Sequence, residues 1–378
     1  MHSAGLYNKY RPIQLSDVIG QDVVVRSLSK QAKTNTLSHA YLLSGRRGLG
    51  KTSIARIISS IMTCPERKSG SDKSCGRCPS CVSIHNGSAS DVIEIDGASS
   101  GGVDDARDIK KGAYYPPHSL PKKIYIIDEC HMLTTEAKNA LLKVLEQPPP
   151  YVVFIFCTTE PHKMLGTIVS RCQRWNLVPI SSKAIADRLT KVAEREGIKM
   201  DSGVATSLAR MSAGSMRDAY VNLEQISAYS SGNVTASDFS EFFGTPDRRK
   251  MYQIVSAVAD QNPAGLLKIV NDLIMASVDP RSVLAGVSDI LRNIFTLKYC
   301  RGKDSLLDLD EGEIEELERI GEKISEGALM KMSGAFSRID KQMAVNINER
   351  WILEAALIGC ILIVNSEPPT KKKDAAQK

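Results

Sequence analysis

One segment, Gly45-Arg46-Arg47-Gly48-Leu49-Gly50-Lys51-Thr52, constrains this chain more than any other. The apolar run His39 to Leu43 precedes it, and Ile54, Ile57, Ile58 and Ile61 follow at helical spacing. Strand, glycine loop and helix in that order predict a P-loop and, with it, a parallel α/β sheet. Glycines let successive backbone N–H groups converge on phosphate oxygens, where the helix N-terminus adds positive potential. Lys51 would neutralise β- and γ-phosphate charge, the Thr52 hydroxyl would ligate Mg²⁺, and Ser53 would lie beside them in the first helical turn.

The pattern around the loop supports this reading. From Leu6 to about Pro179, short apolar runs alternate with helical stretches, with candidate strands at His39 to Leu43, Asp91 to Ile95, Lys123 to Ile127 and Val152 to Cys157. The third run ends in Asp128-Glu129, two carboxylates delivered to the sheet edge where ligands of open α/β sheets collect. Asp128 would hold Mg²⁺ through water, leaving Glu129 to polarise the attacking water. The fourth ends in Thr158-Thr159, whose hydroxyls would reach the γ-phosphate or its water. Ser170-Arg171-Cys172 follows a segment opened by Glu160-Pro161 and expected as a short helix; alone, Arg171 reads as a surface charge. Gly214-Ser215-Met216-Arg217-Asp218 opens a later helix from which Arg217 would reach back to the same nucleotide.

Length and composition set the frame. A chain of 378 residues with 42% hydrophobic content can bury a core in each of two or three domains. Beyond Ile180 the expectation is helices only, with a break near Phe243-Gly244-Thr245-Pro246. This gives three domains: 1–179 with the P-loop, a small helical lid 180–243, and an all-α region 244–366 with helix-spaced Leu284, Val287, Leu291 and Ile294. Residues 367–378, with Lys371-Lys372-Lys373, read as a solvated basic tail. Trp351 to Val364 is apolar but interrupted by Glu354 and shorter than the roughly 20 residues a membrane helix needs, so it reads as a buried helix. Met1 to Arg11 offers no signal-peptide core, which predicts a cytoplasmic, reducing compartment. A formal charge of +6 permits contact with a polyanion without establishing it.

Four of the nine cysteines, Cys64, Cys75, Cys78 and Cys81, fall between residues 64 and 81. Four soft ligands suit a closed tetrahedral Zn²⁺ site within an insertion at about 62–84, and an Fe–S cluster is the competing occupant. A fourth thiolate fills the position a catalytic water would need, so the site reads as structural. Cys130, Cys157, Cys172, Cys300 and Cys360 lie mostly in apolar surroundings and read as inert core residues.

With these residues in place, the chain resembles the gamma/tau family of bacterial DNA polymerase III, clamp-loader members of the AAA+ ATPases. The resemblance runs from about Leu6 to Pro368 and includes Tyr10-Arg11-Pro12 with Val18-Ile19-Gly20-Gln21, the P-loop, the cysteine cluster and Ile95-Asp96-Gly97-Ala98-Ser99. It continues through Ile127-Asp128-Glu129-Cys130-His131-Met132-Leu133, Asn139 to Glu146, Ser170-Arg171-Cys172 and Gly214 to Asp218. It implies that Tyr10, Arg11, Pro12, Val18 and Ile19 line an adenine pocket and that Thr159, beside Thr158, senses the nucleotide. Arg171 would be an arginine finger for the neighbouring subunit's ATP, and Arg217 the lid's sensor. The C-terminal helices would form the collar of a five-subunit spiral. Several copies with delta and delta-prime subunits would hold an open sliding clamp and close it on primed DNA. Arg107, Lys110 and Lys111 are candidate phosphate contacts, equally readable as a solvated helix face. The chain stops after the collar, like the family's short gamma form.

Other readings of the same residues are open at this point. Asp128-Glu129-Cys130-His131 also occurs in superfamily 2 helicases, but those need a second RecA-like domain where helices are expected here. A different AAA+ motor would share the ATP site. A subunit that binds ATP without hydrolysing it would not require Lys51, Thr52, Asp128 and Glu129 together.

Overall fold

The computed structural model describes residues 5–244, 248–276, 278–300, 309, 311–343 and 348–367. It divides into two compact units, residues 1–198 with 205–225, and residues 199–204 with 226–378. The expected tail beyond Glu367, together with Thr245 and Pro246 of the expected break, lies outside the described residues.

The first unit is built on five strands: β1 (Ala40–Ser44), β2 (Val92–Asp96), β3 (Lys123–Asp128), β4 (Val152–Thr158) and β5 (Gln173–Asn176). All pair in parallel, in the order β2-β3-β4-β1-β5. Each expected strand is present, displaced by no more than one residue at either end. The fifth was not anticipated, because Gln-Arg-Trp-Asn has no apolar run and pairs only with β1 along the sheet's edge.

Alternation along the central strands supplies two cores, as expected for a sheet covered on both faces. Tyr41 and Leu43 of β1, with Ile124 and Ile126 of β3, pack against Leu28 of the Asp22–Thr34 helix and Ile54, Ile57, Ile58 and Ile61 of the Lys51–Thr63 helix. Ala40 and Leu42, with Tyr125, Ile127, Phe154 and Phe156, face the opposite helices Val103–Ala113 and Thr135–Glu146. The four isoleucines fit one stripe because their spacing matches 3.6 residues per turn.

Asp91 fixes the entrance to β2. Its side chain is 3% exposed and accepts from the backbone N–H groups of His118 (2.8 Å), Ser119 (2.7 Å) and Leu120 (2.9 Å) and from the Ser119 hydroxyl (3.1 Å). Burial opposes its charge, but these donors outweigh burial and hold the carboxyl below the usual range.

The second unit is mainly helical. Helices Arg248–Ala259, Pro263–Met275, Pro280–Tyr299, Glu311–Glu322, Glu326–Met343 and Glu349–Ser366 share one core that includes Val255, Leu266, Leu284, Val287, Leu291, Ile294, Leu353 and Leu357. Pro263 and Pro280 open their helices behind the capping side chains of Asn262 and Asp279, where a missing N–H costs nothing. Two readings need correction. The region after Ile180 is not wholly helical, because Lys199–Met200 pairs with Asn233–Val234 as a two-residue parallel ladder. The Trp351 to Val364 segment is helical and buries Leu353, Leu357, Cys360, Ile361 and Val364, yet Trp351 and Leu362 are each 64% exposed.

Candidate nucleotide-binding site and cysteine cluster

The P-loop forms where β1 ends and the Lys51–Thr63 helix begins. Gly48 (φ 80°) and Gly50 (φ 96°, the helix N-cap) hold left-handed conformations that side chains rarely adopt. A Cβ on Gly48 would also meet the Ser215 Oγ at 1.9 Å. Lys51 is 6% exposed, and its Nζ donates to the carbonyls of Gly45 (2.8 Å) and Arg46 (3.1 Å), which sets it along the inside of the loop.

The carboxylates arrive from β3. The Thr52 hydroxyl donates to Asp128 Oδ2 at 2.7 Å, bringing the two expected Mg²⁺ ligands together, and Asp128 Oδ1 accepts from the Glu129 N–H at 3.0 Å. Glu129 lies just past the strand with φ 44°, a strained conformation for a residue with a Cβ. It redirects the chain into the Cys130–Met132 turn, and the Thr159 hydroxyl donates to Glu129 Oε2 at 3.2 Å. Close approach of this turn leaves no room at Gly97, where a Cβ would stand 2.8 Å from the Glu129 carbonyl.

These groups border a cleft of about 660 Å³. Of the residues singled out from the sequence, Tyr10, Arg11, Pro12, Val18, Ile19, Arg47, Gly48, Leu49, Gly50, Lys51, Thr52, Ser53, Asp128, Glu129 and Arg217 line it. Gly45 and Arg46 contribute the carbonyls that hold Lys51, and Thr159 reaches the cleft's edge through Glu129. Arg217 follows Ser215 at the start of the Met216–Tyr229 helix, with its guanidinium 5.1 Å from the Tyr7 ring centroid.

Arg171 stands elsewhere. It donates to the Thr167 carbonyl (2.7 Å) and to Glu146 at the end of the Thr135–Glu146 helix (2.7 Å), and does not line the cleft. Several lining residues were given no role in the site from sequence: Asp96, Ala98 and Met216, which stand in quoted motifs, and Tyr7, Asn8, Asp17, Ile180, Arg188 and Tyr220. Asp96 had a detectable signal, since this carboxylate directly follows the expected strand Asp91 to Ile95; in the structure it ends β2 in register with Asp128. Arg188 and Tyr220 carry no local motif and come together at 3.0 Å only through folding.

The sulfurs of Cys64, Cys75, Cys78 and Cys81 all lie within 4.8 Å of one another. Thiolates about 2.3 Å from a central Zn²⁺ stand about 3.8 Å apart, and Cys75 and Cys81 are separated by 3.9 Å. Backbone N–H groups of Cys75, Cys78 and Cys81 donate to the sulfurs of Cys64, Cys75 and Cys78 at 3.3, 3.3 and 3.4 Å. Such bonds favour thiolates over thiols. The donor set therefore fits a tetrahedral dication. The five other cysteines divide: Cys130, Cys157 and Cys360 are buried as expected, whereas Cys172 and Cys300 are only half-buried. Burial pushes the Cys172 and Cys360 thiols up to about 12.

Residues 20–181 match the family model described as DNA polymerase III, delta subunit, and residues 234–372 match that of DNA polymerase III subunits gamma and tau domain III. The chain is 35% identical to DNA polymerase III subunit tau of Bacillus subtilis, over 95% of its own length and 63% of the relative's. The chain belongs to the gamma/tau family. Gamma/tau of Mycobacterium tuberculosis is 37% identical over 78% of this chain and 51% of that protein. Tau of Escherichia coli is 35% identical over 76% and 45%. This gamma/tau-family chain thus spans less than two thirds of these relatives. Among the described residues, no helix is long and apolar enough to cross a membrane.

Proposed function

We propose that this chain is the ATP-driven motor of a DNA polymerase III clamp loader, binding and hydrolysing ATP to place a sliding clamp on primed DNA. The observation that carries the proposal is the convergence of Lys51, Thr52, Asp128 and Glu129 on one cleft, in a member of the gamma/tau family. Thr52 and Asp128 would hold Mg²⁺, which supplies charge neutralisation for the phosphates. Tyr10, Arg11, Pro12, Val18 and Ile19 would receive the base, and the loop from Gly45 to Ser53 the phosphates. Glu129 would orient water for attack on the γ-phosphorus; the bond to the β–γ bridging oxygen then breaks, leaving ADP and phosphate.

Thr159 and Arg217 would register the γ-phosphate from within the chain, and Arg171, which does not line its own chain's cleft, would serve the neighbouring subunit's ATP. Delta and delta-prime subunits, further copies of this chain, the clamp and primer-template DNA are the partners, in a cytoplasmic assembly. The division into an ATPase domain (1–179), a lid (180–243) and a collar (244–366) belongs to the same reading, as does Zn²⁺ held by Cys64, Cys75, Cys78 and Cys81 in a structural role. Arg107 and Lys111 engage Asp104 (2.9 Å) and Asp108 (3.5 Å), so their helix presents mixed charge and adds no support for DNA contact there.

The test is steady-state ATPase activity with delta, delta-prime and clamp, with and without primed DNA, for the wild type and Arg171→Ala. Stimulation by clamp and primed DNA that Arg171→Ala abolishes, while ATP binding survives, is the expected result. Activity indifferent to clamp and DNA would overturn the clamp-loading role.

A further inference from the structure

We infer that His131 is a positioning residue for Glu129, holding its carboxylate toward the cleft and tying it to Glu160 beyond the end of β4; this rests on the ATPase reading above. The imidazole is 7% exposed and wedged between two carboxylates. Its Nδ1 lies 3.4 Å from Glu129 Oε2 and 3.1 Å from the Thr158 hydroxyl, while its Nε2 lies 3.3 Å from Glu160 Oε1. The Thr159 hydroxyl donates to the same Oε2 atom of Glu129. Two neighbours thus fix a carboxylate whose backbone already sits in a strained conformation, and such residues need their surroundings to over-determine them.

The backbone of His131 is itself anchored. Lys138, 6% exposed, donates from Nζ to the His131 carbonyl at 3.0 Å and to the Lys163 carbonyl at 3.2 Å. Glu160 in turn is paired with Lys163 at 2.9 Å and lies 3.6 Å from His162. The connection therefore runs from Glu129 through His131 into the Pro161–Lys163 turn, which precedes the Gly166–Val169 helix and Arg171. With both nitrogens protonated, an imidazole donates in two directions and so can serve both carboxylates. Asparagine reproduces only the Nδ1 side and glutamine only the Nε2 side.

The experiment compares turnover and ATP affinity, the latter by fluorescent-nucleotide titration, in the full chain with clamp, partner subunits and primed DNA. The variants are His131→Ala, His131→Asn and His131→Gln, with Glu129→Gln as reference. His131→Ala and His131→Gln should lose roughly 10- to 100-fold in kcat, the scale of removing a group that orients a reacting one. His131→Asn should recover most of that loss, with ATP affinity preserved in all three. A merely structural histidine would weaken binding and turnover together and would not separate Asn from Gln; either result overturns the inference. Should His131→Ala fail to fold, the Asn and Gln contrast decides alone. An active wild type with Glu129→Gln inactive and His131→Ala unaffected overturns this inference and leaves the ATPase reading standing. A wild type inactive under every condition overturns both.

Discussion

Asp91→Asn should destabilise the first unit by about 3 kcal/mol at neutral pH. The Oδ2 side faces three donors and the Oδ1 side one, so asparagine would place its oxygen on the Oδ2 side. Its amide would then meet the His118 N–H donor to donor, losing a charge-assisted bond worth about 1.5–3 kcal/mol. The bonds to Ser119 and Leu120 would survive in neutral, weaker form, which adds about 1 kcal/mol. The pH dependence has a definite sign. Because the folded carboxyl titrates below its unfolded value of about 3.9, its stabilisation is present above that pH and is lost as pH falls through the folded value. The gap between wild type and variant should thus be constant from pH 7 to about 5 and shrink below about 4. The chain has two tryptophans, Trp175 in β5 and Trp351 in the second unit. In a Trp351→Phe background, Trp175 fluorescence follows urea unfolding of the first unit alone. A variant within about 0.5 kcal/mol of its parent at pH 7, or a gap undiminished at pH 3, would refute the reasoning.

Lys51→Ala should abolish turnover and weaken ATP binding at least tenfold, read by nucleotide titration, because it removes the cation held within the P-loop. Gly48→Ala should cost about 1–2 kcal/mol from its left-handed backbone, plus the displacement of Ser215 Oγ, lowering both thermal stability and ATP affinity. For the cysteine cluster, metal analysis should return one Zn²⁺ per chain, and a strong chelator or Cys81→Ser should increase proteolysis between residues 64 and 87 while the Lys51 site still binds ATP. Metal analysis that returns iron with sulfide instead would identify the competing cluster.

What the sequence disclosed and what it withheld follow from range. Phosphate geometry imposes glycine spacing and fixes lysine and threonine at the helix start, so the P-loop is written locally. The central strands announce themselves because both faces are buried, which requires unbroken apolar runs such as Val152–Thr158. Strand β5 has one pairing partner and alternates in exposure, and so demands no such run. The Lys199–Met200 ladder is too short to show any period. In the cleft, residues contributed by contiguous motifs were legible, whereas Arg188, Tyr220 and Tyr7 lie far apart in sequence and meet only after folding. His131 was visible only as a letter within a motif; two of the contacts that define its position, Thr158 and Glu160, come from the end of a neighbouring strand and the residues just past it.

In the proposed trans role, Arg171 would link subunits at little energetic cost. Its pairing with Glu146 involves side chains 33% and 49% exposed, and ion pairs of that kind contribute only about 0–1 kcal/mol. A finger that serves a neighbouring ATP must give up its own partner first. Under that proposal the exchange would trade a weak surface pair for charge-assisted bonds to phosphate oxygens, which are roughly twice as strong as neutral ones. Glu146→Gln should therefore leave assembly-dependent turnover intact or raise it slightly, measured beside Arg171→Ala in the same mixture. If Glu146→Gln instead reproduces the loss expected for Arg171→Ala, the pair is needed to aim the guanidinium, and the assignment of Glu146 as a resting partner fails.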